Sequence, residues 1–289
     1  MLTGTLVSGL GLGSMYGLIA LGFHITYAVS GTVNFAQGSA VTLGAVLGYA
    51  FAVTLGWPVW LAAPAALAGC ALLGLVVERA LVRPFVERRS EAWLLATVAG
   101  GIVLDNAILF TFGKEPRSLP SPLAVAPVEV FGAGIYPLQL VIPVVGIAAA
   151  VAIRAVFRGT DLGRVLLAVA QNAEAARLMG IDVRRTVAAA FALSALLAGA
   201  AGLLIAPLFS VSAEMGTLFG LKAFAVAILG GIGSATGVVL AGLLYGVVEA
   251  GVTATLGSTY TQLVVFSVII LALALRPDGL LGRAAVNKV

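Results

Sequence analysis

Charge, cysteine and histidine are all scarce in this chain, and each scarcity excludes a class of protein. Only 10% of the 289 residues are charged, whereas a soluble domain usually carries about 25%. The single cysteine, Cys70, lies in an apolar run and excludes a disulfide framework or a cysteine-rich metal cluster. The single histidine, His24, has no carboxylate at metal-ligand spacing, so we expect a satisfied polar group and not a zinc or Ser-His-Asp site.

The charges that are present lie in three islands. The first charged residue is Glu78, and no Asp, Glu, Lys or Arg precedes it. Thirteen of the 16 Lys and Arg residues fall in the stretches 78–91 and 154–185 or in a tail that holds Arg276, Arg283 and Lys288. Such confinement is typical of a chain threaded through a bilayer with its basic islands on the cytoplasmic side. The net charge of +4 is therefore explained by topology and contact with anionic lipid, and not by nucleic-acid binding.

Hydrophobic residues make up 61% of the chain, and the mean hydropathy is +1.13. A helix needs roughly 20 apolar residues to cross the hydrocarbon core, and Gly- and Pro-containing turn signals divide the chain into segments of that length. We predict an all-α, polytopic membrane protein with eight or nine spans, built as a single domain over residues 1–289. Ordinary spans are predicted near residues 6–29, 35–55, 59–79, 93–113, 138–157, 187–209, 235–256 and 260–276.

The placement of the loops predicts the sidedness of the chain. The first apolar run has no basic region before it, so we expect it to remain as a span and not to be a cleaved signal peptide. Residues 114–137 contain five prolines and few basic residues, which indicates an extracytoplasmic loop. Counting back from a cytoplasmic Arg79 places the N-terminus outside, and the basic tail places the C-terminus in the cytoplasm.

The stretch 218–256 is predicted to contain a broken or re-entrant helix. As one helix it would be about 58 Å long at 1.5 Å per residue, which is too long for a single crossing. A glycine-rich break divides it, and its members are Gly230, Gly231 and Gly233. Helix breaks of this kind often line the substrate pathways of transporters.

The basic island around residues 158–185 contains a short helix with both ends marked, predicted from Ala173 to Met179. Asn172 is suited to cap its first turn, and Glu174 places a negative charge at the positive end of the helix dipole. Gly180 suits the position just after a helix, where the backbone often adopts a left-handed conformation. Glu174 and Arg177 are three residues apart and can pair, while Ala175, Leu178 and Met179 form one apolar face. A helix this short needs a partner surface, although the pattern alone fits an ordinary connecting loop equally well.

Four segments, in register along essentially the whole chain, resemble the branched-chain amino acid importer permeases of the ATP-binding cassette (ABC) class, the Liv type. They are residues 31–38 (GTVNFAQG), 170–181 (AQNAEAARLMGI), 220–234 (GLKAF through LGGIGS) and 276–282 (RPDGLLG). Gln37 departs from the many relatives that carry His there. Related sugar permeases have an Asp-Leu-Ser-type motif where this chain has Asn34, Phe35 and Ala36, which favours the amino-acid branch.

The resemblance implies a set of partners and a role for the short helix. Two ATP-binding cassette subunits, a second homologous permease subunit and an extracytoplasmic amino-acid-binding protein would complete the transporter. The coupling segment to the ATPase would comprise Asn172, Glu174, Arg177, Leu178, Met179 and Gly180. No cofactor is expected in this chain, and no enzyme activity, because it contains no G-x-x-x-x-G-K-[ST] phosphate loop and ATP would be bound by the partner subunits.

Polar residues inside the predicted spans are the candidates for the pathway, because polar groups in a membrane tend to face protein or water. The set consists of Asn34, Gln37, Asp105, Asn106 and Glu249. A structural or pathway role is favoured over proton relay for Asp105 and Glu249. For Lys222 and Glu214 we expect mutual pairing within the membrane, or extension of Lys222 to the interface.

Two alternatives to import of leucine, isoleucine and valine remain open at this point. An ion-coupled secondary transporter working alone would explain the broken helix together with Asp105 and Glu249, but it leaves the segment from Asn172 to Gly180 without a role. Within the ABC class, urea, short amides or other amino acids are alternative cargo. An intramembrane enzyme is a distant third, since the chain has no credible catalytic set.

Overall fold

The computed structural model describes residues 2–130, 133–276 and 279–282. In this part of the chain almost all regular structure is helical, in agreement with the predicted all-α membrane fold. The helices, numbered in chain order, are α1 Leu2–Ser30, α2 Gln37–Tyr49, α3 Val59–Val77, α4 Arg83–Val86, α5 Trp93–Phe112, α6 Pro137–Gly159, α7 Asp161–Gln171, α8 Ala173–Leu178, α9 Val183–Ile205, α10 Met215–Gly230, α11 Ala235–Leu256 and α12 Ser258–Leu275. Two π-helical turns continue helices without a break, Ala50–Thr54 after α2 and Glu78–Val82 between α3 and α4.

Eight helical segments of the described chain are long and apolar enough to cross a membrane. They are α1, α2 with its π turn, the run from α3 to α4, α5, α6, α9, α11 and α12. The apolar helix α10 has only 16 residues and is about 24 Å long, so the predicted break after a short helix is confirmed. The sixth span begins at Val183 and not near residue 187, because the Asp182 side chain accepts a hydrogen bond from the Arg185 amide (3.1 Å) and starts the helix earlier.

Helix α1 is the central element of the bundle, with most of its length buried. It packs against α11, α9, α6 and α10, and its contact with α11 is made at glycines. Gly13 lies against the backbone of Gly242 and Leu243, and Gly17 lies against Val239. Lipid offers helices no hydrophobic reason to associate, so close backbone approach at small residues is what holds such a pair together.

Replacing Gly242 with alanine is expected to lower the thermal stability of the purified protein, by an amount in the 1–3 kcal/mol range typical of overpacking. The added Cβ would lie 2.7 Å from the backbone of Gly17, and a backbone atom cannot rotate away. Gly251→Ala, in the same helix, meets nothing within 4 Å and serves as the control. Equal unfolding temperatures for the two variants in detergent would contradict this account of the α1–α11 contact.

The segment between α5 and α6 is tied to the rest of the molecule at several points. It holds a short hairpin, β1 Val128–Val130 and β2 Ala133–Ile135, in which the strands pair antiparallel. Arg117 exchanges two backbone hydrogen bonds with Val211, of 3.0 and 2.8 Å, and its guanidinium lies 4.6 Å from the centre of the Phe112 ring. This segment corresponds to the predicted extracytoplasmic loop at residues 114–137. Its contacts connect the chain that follows α5 to the chain that follows α9.

The tail motif is described only in part. Pro277, Asp278, Arg283 and Lys288 lie outside the described residues. The described residues pack back on the helix break, since the amide of Leu280 donates to the carbonyl of Leu229 (2.7 Å).

Candidate functional site

The second basic island forms a compact run of helices, and a side chain caps the start of each one. Thr160 accepts from the Gly163 amide at the start of α7 (3.1 Å), and Asn172 accepts from the Ala175 amide at the start of α8 (3.0 Å). These caps satisfy amide groups that have no partner within a helix. The predicted capping role of Asn172 is therefore present in the structure.

Helix α8 ends as its sequence predicts, at a glycine in the left-handed region. Gly180 has φ +85°, its amide donates to the carbonyl of Arg177 (3.0 Å), and the amide of Ile181 donates to the carbonyl of Ala176 (3.0 Å). These two bonds form a Schellman motif. A helix of six residues is thus closed at both ends and held in one orientation.

The outer face of α8 is apolar and exposed. Leu178 is 89% exposed and Met179 83% exposed, while Ala176 on the opposite side is buried against the remainder of the molecule. Glu174 and Arg177 are exposed as well. Contrary to the expectation that they can pair, they form no ion pair with each other in the described structure, so both charges are available to a partner.

The glycine-rich break between α10 and α11 lies in contact with distant parts of the chain. Gly231 has φ +84°, and Gly230 lies so close to Gly237 and Val238 that a side chain would be 2.6 Å from their backbone. Gly233, in contrast, has open space around it. His24 donates from Nδ1 to the carbonyl of Ile232 (2.7 Å), so the only histidine is a satisfied polar group, as predicted. The break is therefore a turn that is fixed by packing at Gly230 and Gly231 and open at Gly233.

Lys222 and Glu249 form a buried ion pair that joins α10 to α11. Each residue is 7% exposed. The Lys222 ammonium also donates to the hydroxyl of Tyr16 on α1 (3.4 Å), and the Tyr16 ring contacts Tyr245 edge to face. Of the two expectations for Lys222, pairing within the membrane occurs and extension to the interface does not. Its partner is Glu249 and not Glu214, which is exposed.

Asn34 and Gln37 also lie in the interior. They are 1% and 0% exposed, respectively. The Gln37 amide donates to the carbonyl of Ser194 (3.0 Å) and accepts from the Ser194 hydroxyl (3.0 Å), while the Asn34 side chain caps the Ala36 amide (3.0 Å). The two Gln37 bonds connect the start of α2 to α9, and the Asn34 bond is local to the turn before α2.

Asp105 and Asn106 are the predicted pathway residues that reach the outside of the subunit. Asp105 is half-buried, and its Oδ2 accepts from the Thr217 hydroxyl of α10 (3.1 Å). Its Oδ1 is buried and has no hydrogen-bond partner in the described structure. Asn106 is exposed, amid the exposed apolar residues Ile102, Val103 and Phe110. The outer face of α5 is thus apolar with a polar centre.

Several residues that complete these clusters carry no local signal in the sequence. Tyr16, Ser194 and Thr217 contact Lys222, Gln37 and Asp105 across 206, 157 and 112 positions of the chain. In the sequence, a serine, threonine or tyrosine within an apolar helix looks like any other small or aromatic residue of that helix. Only the packing of the helices identifies its partner.

Comparison with known proteins agrees with the helical membrane architecture. The family model described as "Branched-chain amino acid transport system / permease component" matches residues 5–274. The high-affinity branched-chain amino acid transport system permease protein LivH of Salmonella typhimurium is 34% identical over 98% of this chain and 96% of its own length. The corresponding protein BraD of Pseudomonas aeruginosa is 32% identical over 98% of this chain and 97% of its own length.

A solved structure shares the fold at low sequence identity. PsaBC from Streptococcus pneumoniae, in complex with a Fab, has a TM-score of 0.51 and 14% identity, and covers 96% of this chain and 92% of that chain. The likeness shows the fold alone, while the family match and the LivH relative extend over nearly the whole sequence. On this evidence the chain belongs to the family of branched-chain amino acid transport system permease components, multi-pass membrane proteins that act in transport and are not enzymes.

Proposed function

We propose that this chain forms half of the transmembrane pathway of an ABC importer that moves leucine, isoleucine and valine into the cell. It works with two ATP-binding subunits, a second homologous permease subunit and an extracytoplasmic binding protein. ATP is bound and hydrolysed by the partner subunits. The family membership and the LivH and BraD relatives support the class of cargo.

The observation that carries this proposal is the exposed apolar end of α8. Leu178 and Met179 project from a helix that is capped at both ends, although burying such side chains would contribute roughly 1.5–3 kcal/mol each. A short, rigid helix with an uncovered apolar tip and two unpaired charges fits a groove on a separate motor subunit. Movement of that subunit is then transmitted to α7 and α9, between which α8 lies in the chain.

The direction of the helices supports a cytoplasmic position for α8. Helix α1 runs antiparallel to α11, since Gly9 lies against Gly246 and Gly17 against Val239. If α10 crosses together with the eight longer spans, the chain crosses nine times and its ends lie on opposite sides. With the basic islands on the cytoplasmic side, that count supports an N-terminus outside, a C-terminus in the cytoplasm, and α7 and α8 on the cytoplasmic side.

The polar centre of the outer face of α5, together with the neighbouring start of α10, forms the pathway against the second permease. Asp105, Asn106 and Thr217 lie there with Glu214 exposed nearby in the chain. The negative charge of the half-buried Asp105 carboxylate suits the amino group of a passing amino acid, and the surrounding Val, Ile and Phe residues suit its apolar side chain. Asn34, Gln37 and Glu249 hold the helices together behind this face.

The ion-coupled alternative has less support from the geometry. Glu249, which made that hypothesis attractive, is neutralised by Lys222 and is not a free carboxylate for carrying protons. Uptake in vesicles distinguishes the two functions. Vesicles with this chain, its partner permease and the ATP-binding subunits should accumulate radiolabelled leucine only with ATP and the binding protein. Uptake by this chain alone, driven by a proton or sodium gradient, would overturn the proposal.

Replacing Asp105 with asparagine is expected to lower ATP-dependent leucine uptake by about tenfold or more, because a hydrogen bond to a charged group contributes roughly 1.5–3 kcal/mol. The binding of the ATP-binding subunits should be unchanged. Asp161→Asn removes the same charge from the exposed start of α7 and is the control. Normal uptake by Asp105→Asn, measured over a range of leucine concentrations, would place the pathway elsewhere.

A further inference from the structure

Two arginines at the end of α6 differ from three other arginines of the same basic island, each of which has an acidic partner. Arg164 pairs with Asp161 (2.9 Å), Arg184 with Glu87 (2.9 Å) and Arg185 with Asp182 (3.0 Å). Arg154 and Arg158 are exposed and have no acidic partner in the described part of the chain. They are four residues apart on one helix and therefore project from the same face, one turn from each other.

This face of α6 is otherwise apolar. Val144, Ile147 and Val151 are exposed and follow each other at the spacing of one turn, with Arg154 next in the series. Little of α6 is buried against the rest of the subunit. Unlike the outer face of α5, it carries no polar residue at its centre, which is the character of a surface in contact with lipid chains.

The position of the two arginines along α6 corresponds to the edge of a bilayer. From Pro137, where the helix begins, Arg154 lies about 26 Å and Arg158 about 32 Å along the axis. The hydrocarbon core is about 30 Å thick, so both long side chains reach the headgroup region. Just beyond them, α7 starts with an exposed leucine, Leu162, which suits a helix lying at the membrane surface.

We propose that Arg154 and Arg158 form a binding site for the headgroup of an anionic phospholipid of the cytoplasmic leaflet. The two guanidinium groups donate to the phosphate and to a second acidic group of the same lipid. One acyl chain lies along Val151, Ile147 and Val144. The site is independent of the route taken by the cargo, because it lies on the face of the subunit that contacts lipid.

Native mass spectrometry of the purified full chain tests the site with phosphatidylglycerol as the probe and phosphatidylcholine as the neutral reference. The double variant Arg154→Gln/Arg158→Gln is expected to bind phosphatidylglycerol about thirtyfold more weakly, since each basic residue near a membrane surface contributes roughly a factor of five. Binding of phosphatidylcholine should not change. Addition of soluble glycerol 3-phosphate should not displace the lipid, because the acyl chain contributes to the affinity.

The matched control is Arg88→Gln/Arg89→Gln, which removes the same charge from exposed positions of the first basic island. This variant should retain the affinity of the unmodified chain. An equal loss in both double variants would mean non-specific attraction and would overturn the proposal, as would displacement by glycerol 3-phosphate. If Arg154→Gln/Arg158→Gln binds the lipid normally but loses capture of the ATP-binding subunit, the pair belongs to a protein interface and the lipid site is wrong.

Discussion

Replacing Lys222 with methionine is expected to destabilise the subunit by about 3–5 kcal/mol, the usual cost of leaving one buried charge without its partner. Lys222 and Glu249 are both buried, and Glu249 already has one oxygen without a hydrogen bond in the described structure. Without Lys222, the carboxylate would also lose the ion pair that its other oxygen makes. The unfolding temperature in detergent and the yield of membrane-inserted protein measure the effect.

Replacing both residues of the pair distinguishes the loss of the ion pair from general damage to the helix. The double variant Lys222→Met/Glu249→Met should recover most of the lost stability, because a buried ion pair can be replaced by apolar residues of similar volume at little cost. Lys114→Met makes the same change at an exposed loop position and should be neutral. A single Lys222→Met variant as stable as the unmodified protein, or a double variant less stable than both single ones, would contradict the role of this pair.

Replacing Gly180 with proline is expected to abolish ATP-driven uptake while the protein still inserts and folds. Proline requires φ near −65°, whereas Gly180 has φ +85°. Proline also removes the amide that donates to Arg177 (3.0 Å). The end of α8 would unwind, and Leu178 and Met179 would lose their fixed orientation toward the ATP-binding subunit.

Arg177→Glu tests the same surface without changing the backbone. Reversal of an exposed charge costs the fold little, so the variant should remain stable but bind the ATP-binding subunit weakly and transport poorly. Arg164→Glu, an exposed reversal on α7, is the control and should cost no more than an isolated surface ion pair. Co-purification of the ATP-binding subunit and leucine uptake are measured together. Normal transport by either Gly180→Pro or Arg177→Glu, with the ATPase bound, would rule out coupling through α8.

The prediction for α8 succeeded because its signals are local. The cap at Asn172, the left-handed Gly180 and the apolar Leu178 and Met179 lie within nine residues, and a helix end depends on contacts of that range. The break at Gly230 and Gly231 was visible for a similar reason, since it interrupts a run too long for one span.

The interior polar residues could not be separated by the same reasoning. Asn34, Gln37, Asp105, Asn106 and Glu249 all read as polar groups within apolar runs, and nothing local says which side of a helix meets a neighbour. The structure divides them by burial. Glu249 joins Lys222, and Gln37 joins Ser194, while Asp105 and Asn106 lie on the outer face of α5.

What the sequence by itself determined was the class of molecule, the order of its spans and the bounds of the short helix α8. These depend on composition, segment length and capping, which are properties of residues close together in the chain. Tertiary structure alone decided the pairing of charges and the use of each helix face. Those depend on contacts such as Lys222 with Tyr16, 206 positions apart, because helix packing brings together residues whose proximity no local pattern encodes.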